Sequence, residues 1–336
     1  MKKIFIHAGL HKTGTTALQF ALNSNRNALQ QQGFYYPSSG IPAKYHGHHN
    51  IAWQLSRDRR FRPEYGDIRA LLKEIEGVKE DNIILSSEDF ESSLFHPHRM
   101  QKISNNFLQS NAKVCIVIYI RSQVDYLQSL YFELLKWDLG DEFYAFARRV
   151  ASTHKIEYKD WQFLFNYAEI ATALQSLKGL EIVFRDYEDL IDNNTVSDFC
   201  KVIGVDGGKM EVPAEINKIN ERLTSNTLLK LFIRNRVGAF PEGALDVVDE
   251  LFAEEDGKLV LSMSAQKIFQ DLNDRNGMNK NKRALKLPEN TMSGFNIEKV
   301  FSFETCGLVL KLMKIAKEPV MRKQLIAEWQ GWVRQV

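Results

Sequence analysis

Four short apolar segments, each followed by a longer stretch with helical periodicity, constrain the fold of this chain more than any other feature. The segments are Lys3–Ala8, Asn82–Leu85, Lys113–Ile120 and Leu180–Phe184. Strands that are apolar along their whole length and alternate with helices are typical of a parallel sheet covered on both faces. We therefore predict an α/β fold with a central parallel sheet between two layers of helices.

The second part of the chain follows a different pattern. After residue 205 no clear strand is predicted, and helical periodicity recurs near 224–237, 243–254, 264–275, 302–316 and 319–334. We predict a core of residues 1–205 and a largely helical C-terminal extension, residues 206–336, within the same domain. Inside the core, one helix is predicted from Thr16 to Gln32, and mostly helical structure over 141–177.

Composition narrows the function classes. With 44 basic and 42 acidic side chains the net charge is +2, which gives no overall field that would attract nucleic acid. The three cysteines lie far apart without a C-x-x-C pair, so a disulfide framework and a cysteine zinc site are both unexpected. The longest apolar run, Val114–Ile120, is shorter than the roughly 20 residues of a membrane span. We expect a cytoplasmic protein without nucleic-acid partners.

The first strand leads into a loop whose residues suit the binding of an anion. The loop reads Gly9-Leu10-His11-Lys12-Thr13-Gly14-Thr15-Thr16 and opens a helix. Backbone N–H groups of such a turn converge on an anion, and a lysine with threonine hydroxyls adds charge and donors. A Walker A loop places its lysine after the second glycine, whereas Lys12 precedes Gly14. The alternative is an ordinary connection whose polar residues cap the helix.

A second group of polar residues follows the strongest strand. Arg121 closes that strand, and Ser129 lies eight residues later in the next helix. Ligands bind at the carboxyl edge of open α/β sheets, and an arginine fork with a hydroxyl suits a phosphate. Such an arginine alone is more often part of a surface ion pair. Together with the first loop, it indicates two phosphate sites on one nucleotide.

These motifs resemble those of sulfotransferases that use 3′-phosphoadenosine 5′-phosphosulfate (PAPS). The resemblance covers residues 3–205 in pieces and implies a P-loop-like three-layer fold. It implies that His11 and Lys12–Thr16 hold the 5′-phosphosulfate, that Arg121 and Ser129 hold the 3′-phosphate, and that Tyr187 lies near the adenine. The sequence Tyr187-Glu188-Asp189-Leu190 matches a corresponding stretch of the family.

The later region departs from the family. No arginine-lysine-glycine loop for the 3′-phosphate is present, and residues 217–225 match the bacterial members only loosely. Four basic residues could substitute for that loop: Arg222, Lys280, Lys282 and Arg283.

Sulfuryl transfer needs a base for the acceptor hydroxyl and positive charge at the departing phosphate, which Lys12 would supply. Glu88 follows the strand Asn82–Leu85 and is the predicted base, by likeness to carbohydrate sulfotransferases. The alternative is that Ser87 and the carboxylates after it cap a helix. The rival bases are histidines: His7, which we also count as a candidate catalytic residue, and His46, His48 and His49.

The loop of residues 38–50 is predicted to bind the acceptor, through His46, His49 and, beyond it, Trp53. A zinc site is the alternative for its histidines, but the loop has neither a cysteine nor a helical i, i+4 pair, and no metal is predicted. The basic run Arg57–Arg62 is predicted to be a solvated face; contact with an anionic glycan is the alternative.

The leading hypothesis is a PAPS-dependent sulfotransferase that acts by in-line displacement on a hydroxyl, preferably of a glycan. One alternative is a P-loop nucleotide kinase, which the order of Lys12 and Gly14 disfavours. Another is a non-catalytic protein that binds a nucleotide.

Overall fold

The computed structural model describes residues 1–94, 96–109, 112–190, 194–210, 223–237, 244–252, 259–261, 295–314 and 319–334. The chain divides into two compact units. The first comprises Met1–Ser122 with Lys155–Glu221, and the second Gln123–His154 with Arg222–Val336. The domain boundary predicted after residue 205 stays a prediction. The helix predicted near 264–275 lies outside the described residues.

The strands of the first unit are β1 (Lys3–His7), β2 (Phe34–Tyr35), β3 (Asn82–Ser86), β4 (Lys113–Ile120), β5 (Lys155–Tyr158), β6 (Trp161–Leu164) and β7 (Leu180–Asp186). Five of them form a parallel sheet in the order β2-β3-β1-β4-β7. β5 and β6 form a separate antiparallel hairpin. The predicted central parallel sheet is therefore confirmed, while the hairpin was not predicted.

The helices of the first unit are α1 (Thr15–Ser24), α2 (Arg26–Gln31), α3 (His49–Ser56), α4 (Ile68–Glu76), α5 (Glu91–Leu94), α6 (Pro97–Gln109), α9 (Tyr167–Gln175) and α10 (Thr195–Ile203). They cover both faces, because neighbouring residues of each strand point to opposite sides. Ile4 and Ile6 pack with side chains of α3, α4, α6 and α9. Phe5 packs with side chains of α1 and α10 on the other face. The predicted α/β fold of three layers is confirmed.

The single helix predicted from Thr16 to Gln32 is wrong. Asn25 interrupts it, with φ −105° and ψ 25°, between α1 and α2. The backbone and side-chain N–H groups of Asn25 both donate to the carbonyl of Ala21, at 3.1 and 2.8 Å. An asparagine amide competes with the helical hydrogen bonds in this way, and a new helix starts after it.

The second unit is largely helical, as predicted. Its helices are α7 (Gln123–Lys136), α8 (Phe143–Thr153), α11 (Ser225–Val237), α12 (Ala244–Leu251), α13 (Ile297–Val300), α14 (Phe303–Lys314) and α15 (Pro319–Arg334), and its two-residue strands are β8 (Leu259–Val260) and β9 (Phe295–Asn296). Tyr131 lies in its core, where its ring meets those of Phe143, Phe146 and Phe301. None of the helices described is long and apolar enough to cross a membrane.

Candidate active site at the carboxyl edge of the sheet

The pairing of the strands brings the predicted site residues of the first unit to one edge. β1 lies between β3 and β4, with His7 opposite both Ser86 and Val117. The loop after β1, Glu88 after β3 and Arg121 after β4 therefore leave the sheet on the same side. This edge is where open α/β sheets bind their ligands.

The loop after β1 has a defined, partly strained backbone. Lys12 and Gly14 both have positive φ angles, 66° and 78°. The Thr13 hydroxyl donates to the carbonyl of Leu10 at 2.7 Å, and the Thr195 hydroxyl donates to the carbonyl of Thr13 at 2.9 Å. A Cβ atom on Gly14 would lie 2.6 Å from that Thr195 hydroxyl. Glycine is therefore required here for its backbone conformation and for space.

The start of α1 bears on the capping alternative. Its N-cap residue is Gly14, and no side chain caps the helix. The first N–H groups of a helix have no partner within it, and together with the helix dipole they favour an anion. The polar residues of the loop therefore do not serve as a helix cap, and that alternative is wrong. The second residue of the helix, Thr16, is exposed, while Thr13 and Thr15 are buried.

Arg121 is held against this loop by three contacts. Its guanidinium donates to the carbonyl of Lys12 at 3.1 Å, pairs with Glu188 at 3.3 Å and lies 5.2 Å from the ring centre of Tyr187. The backbone N–H of Ser122 donates to the other oxygen of Glu188 at 3.0 Å. Burial, together with a side-chain hydrogen bond to Asp186, raises the pKa of Glu188 to about 7. Arg121 and Tyr187 thus lie beside the loop, and their roles toward the 3′-phosphate and the adenine stay predictions. Ser129, in α7, belongs to the second unit, and its pairing with Arg121 stays a prediction.

Glu88 is a largely buried carboxylate at this edge. The side-chain amide of Gln19, on α1, donates to Oε2 of Glu88, and His49 Nε2 lies 4.0 Å from the same oxygen. The Ser87 hydroxyl accepts the N–H of Asp89, so the predicted capping by Ser87 is present. The Glu88 carboxylate itself accepts a hydrogen bond from Gln19, and its role as a base stays a prediction.

His49 lies between two carboxylates. Its Nδ1 is 3.1 Å from Asp89 Oδ2, the same oxygen that accepts the indole N–H of Trp53 at 2.8 Å. Burial acts to lower the pKa of His49, but the carboxylates of Glu88 and Asp89 outweigh it and hold this pKa above its ordinary value. The ring of Tyr45 stands at the edge of His49, with centroids 4.9 Å apart. Two of the three predicted acceptor residues, His49 and Trp53, therefore share one polar cluster.

The third predicted acceptor residue, His46, is less buried. Its Nδ1 lies 3.0 Å from the side-chain nitrogen of Asn23, and its ring meets that of Phe20. His48 is fully buried, with Nδ1 accepting the Ser86 N–H at 3.2 Å. Burial lowers the pKa of His48 to about 3. His48 therefore stays neutral and fastens its loop to β3.

His7 lies beneath the loop that follows β1. Its Nδ1 is 2.7 Å from the Ser86 hydroxyl, and its ring packs against those of Tyr119 and Phe199. Burial lowers its pKa to about 4, so the ring is neutral at neutral pH. A Cβ atom on Gly9 would lie 2.7 Å from Nε2 of His7. The catalytic role of His7 stays a prediction.

His11 is fixed by a carboxylate that was not predicted. Its Nδ1 lies 2.7 Å from Oε2 of the fully buried Glu91, which also accepts the His11 N–H at 3.1 Å. The second Glu91 oxygen accepts the N–H of Leu164 at 3.1 Å. Against the effect of burial, Glu91 raises the pKa of His11 to about 9. The loop therefore carries a second positive charge next to Lys12.

Some predicted residues could not be placed, and some residues at the site were not predicted. Arg222, Lys280, Lys282 and Arg283, predicted as substitutes for the missing loop, lie outside the described residues. Over the part of the chain that the structure describes, no group of three or more His, Cys, Asp and Glu side chains could hold a metal ion. The sequence missed Gln19, Asp89 and Glu91, although both carboxylates stand in the stretch Glu88-Asp89-Phe90-Glu91 after a strand.

Comparison with solved structures gives distant likenesses, and comparison with families and curated proteins gives none. No protein-family model matches the sequence, and no curated protein matches it. Among solved structures, the chain is similar to a sulfotransferase from Alicyclobacillus acidocaldarius, with 18% identity and a TM-score of 0.37. That match covers 76% of this chain and 97% of the other. A likeness at this level does not establish a family.

Proposed function

We propose that this protein is a PAPS-dependent sulfotransferase that acts on an acceptor hydroxyl, preferably of a glycan. The observation that carries the proposal is the meeting, at one sheet edge, of the uncapped loop with Lys12 and the carboxylate of Glu88. The first suits a phosphosulfate and the second suits a base. The core proposed for this activity is residues 1–205, with residues 206–336 as its extension.

The residues at this edge fit the two ends of PAPS. Main-chain N–H groups at the start of α1 would bind the 5′-phosphosulfate, aided by His11, Lys12 and Thr16. Arg121, already aligned on Tyr187 and the Lys12 carbonyl, would bind the 3′-phosphate, with Ser129 as its proposed partner. Tyr187 would then lie near the adenine.

The chemistry divides between two side chains. PAPS supplies the sulfuryl group. Glu88 takes the proton of the acceptor hydroxyl as the new oxygen–sulfur bond forms, with Gln19 and His49 keeping its carboxylate in place. Lys12 stabilises the negative charge that develops on the phosphate oxygen as the old sulfur–oxygen bond breaks. Adenosine 3′,5′-bisphosphate leaves, and the charges balance.

Two other functions remain as alternatives. A nucleotide kinase would require a lysine after Gly14, where Thr15 and Thr16 stand instead. A binding protein without activity would have no need of a base, whereas Glu88 is held by Gln19 beside the loop.

Calorimetric titration with adenosine 3′,5′-bisphosphate tests the proposal, with ATP and adenosine 5′-phosphate as controls. We expect tight binding that depends on the 3′-phosphate and is weakened at least about tenfold in Arg121→Gln, since charge-assisted hydrogen bonds are lost. Arg69→Gln, a change of an exposed arginine on α4, should bind normally. Preference for ATP, or no binding at all, would reject the proposed function.

A further inference from the structure

A cavity of about 360 Å³ lies beside the phosphate loop, within the first unit. His11 of this loop and Asp89, the residue after Glu88, line the cavity. The other lining residues include some from the end of α3, from α6 and from the β5–β6 hairpin. Its volume is within the range of small-molecule sites. A molecule bound here would therefore touch both the phosphate loop and the turn that carries Glu88.

Most charges along the cavity are paired with each other. Arg60 pairs with Asp58 at 2.7 Å and with Asp89 at 3.2 Å. Arg59 pairs with Asp160 at 2.6 Å. The prediction of a solvated face for the run Arg57–Arg62 is therefore wrong for Arg60, whose side chain is only 28% exposed.

Arg57 and Arg99 are the exception. Among the described residues, no carboxylate lies within ion-pair distance of either guanidinium, although both line the cavity. Burial and the charge of Arg57 lower the pKa of Arg99, and burial and the charge of Arg99 lower the pKa of His96. Arg57 also adopts a left-handed backbone conformation, with φ 58°. Two guanidinium groups with no carboxylate of the described residues within pairing distance thus line one cavity, where an anion would stabilise them.

An aromatic wall faces the same space. Trp161, the first residue of β6, lines the cavity, and the Arg60 guanidinium lies 5.3 Å from its ring centre. The same guanidinium lies 4.8 Å from the ring centre of Trp53, so Arg60 ties the two indoles together. Arg60 covers one face of the Trp161 ring, and the remaining indole surface that lines the cavity suits a sugar ring, which has both apolar and hydroxyl-bearing surfaces.

We propose that this cavity binds the acceptor, and that the acceptor is an acidic sugar that already carries a carboxylate or a sulfate. Arg57 and Arg99 bind the anionic group, and Trp161 packs against the ring. Lys159 at the rim adds a further positive charge. This inference rests on the proposed function, because a sulfotransferase needs an acceptor next to the group it transfers. It deepens that function by naming a class of substrate: glycans that are anionic before transfer.

The test measures sugar binding and nucleotide binding separately on the full chain. Glucose 6-sulfate and glucuronic acid are titrated by calorimetry, with glucose as the neutral control and inorganic sulfate as the bare anion. We expect both acidic sugars to bind at least about tenfold more tightly than glucose and than inorganic sulfate. Arg57→Gln and Arg99→Gln should each weaken their binding about tenfold or more, and Arg69→Gln should not. Binding of adenosine 3′,5′-bisphosphate should be unchanged in all three variants.

The possible results distinguish a failure of this inference from a failure of the proposed function. Equal binding of glucose and the acidic sugars by the unaltered protein would overturn the inference while nucleotide binding still supports a sulfotransferase. If inorganic sulfate binds as tightly as glucose 6-sulfate, the inference is also overturned. The cavity would then bind an anion without recognising the sugar. Selective binding of acidic sugars with no binding of adenosine 3′,5′-bisphosphate would support the site and reject the function. The comparison among sugars uses the unaltered protein, so it does not depend on the variants folding.

Discussion

Two arginine-bearing regions of the first unit contrast in how their charges are held. At the phosphate loop, Arg121 is aligned by Glu188, by the Lys12 carbonyl and by the ring of Tyr187. In the cavity, Arg57 and Arg99 lie near each other with no carboxylate of the described residues within pairing distance. The first arrangement orients an arginine before a ligand arrives, whereas the second leaves positive charge for the ligand to neutralise.

The contrast has a consequence for each proposed ligand. A phosphate at Arg121 must compete with Glu188, so orientation is gained at the cost of part of the attraction. An anion that contacts Arg57 and Arg99 competes with no carboxylate of the described residues for either guanidinium, but it has to order both side chains. We therefore expect the nucleotide site to be the more selective in geometry and the cavity to be the more tolerant of different anionic groups.

The largest expected effect is on the rate of the reaction and leaves binding at both arginine-bearing regions unchanged. Glu88→Gln should lower the rate of sulfuryl transfer about 10²–10⁴-fold, because a neutral amide cannot accept the proton of the hydroxyl. Binding of adenosine 3′,5′-bisphosphate and of glucose 6-sulfate should stay within about twofold of the unaltered protein. Initial rates and calorimetry measure the two, and Glu76→Gln, an exposed change, is the control. A rate that is hardly changed would remove Glu88 as the base and leave His49 as the nearest candidate.

A smaller effect concerns the link between the loop and the cavity. Glu91→Gln should lower the free energy of unfolding by about 1.5–3 kcal/mol at pH 6, since His11 loses its charged partner. In the unaltered protein the pKa of His11 is raised from 6.5 to about 9. This contribution to stability is therefore complete below about pH 6.5 and is lost as the pH rises through 9.

Urea unfolding at several pH values between 6 and 10 measures this contribution. The difference between Glu91→Gln and the unaltered protein should shrink toward pH 10. A difference that stays constant over this range would show that Glu91 does not act through the charge of His11.

The smallest effect tests the competition at Arg121. Glu188→Gln should strengthen binding of adenosine 3′,5′-bisphosphate a few-fold above pH 7, because the arginine loses a competing anion. Burial raises the pKa of Glu188 to about 7, so the unaltered protein should bind this nucleotide more tightly as the pH falls through 7. The variant should lack that part of the pH dependence. Weaker binding by Glu188→Gln at every pH would mean that the orientation of Arg121 by Glu188 contributes more to binding than their competition removes.

The sheet was predictable from the sequence because its strands are contiguous apolar segments. The predicted strand Lys113–Ile120 has the same bounds in the structure, and burial on both faces explains why it is apolar throughout. The hairpin of β5 and β6 was not predicted, since its strands have four residues each and mix buried side chains with exposed ones. The break at Asn25 depends on one side-chain hydrogen bond within a pattern that otherwise continues.

The sequence by itself determined the layered α/β fold and the loop from Gly9 to Thr16, because these depend on neighbouring residues and their periodicity. Tertiary structure alone decided which side chains serve that loop. Glu91 contacts His11 across 80 positions, and Arg57 and Arg99, 42 positions apart, line the same cavity, so no local pattern could bring either pair together. Which charges find partners is settled only when distant elements pack. For that reason the loop from Gly9 to Thr16 could be located from the chain, whereas the cavity beside it could not.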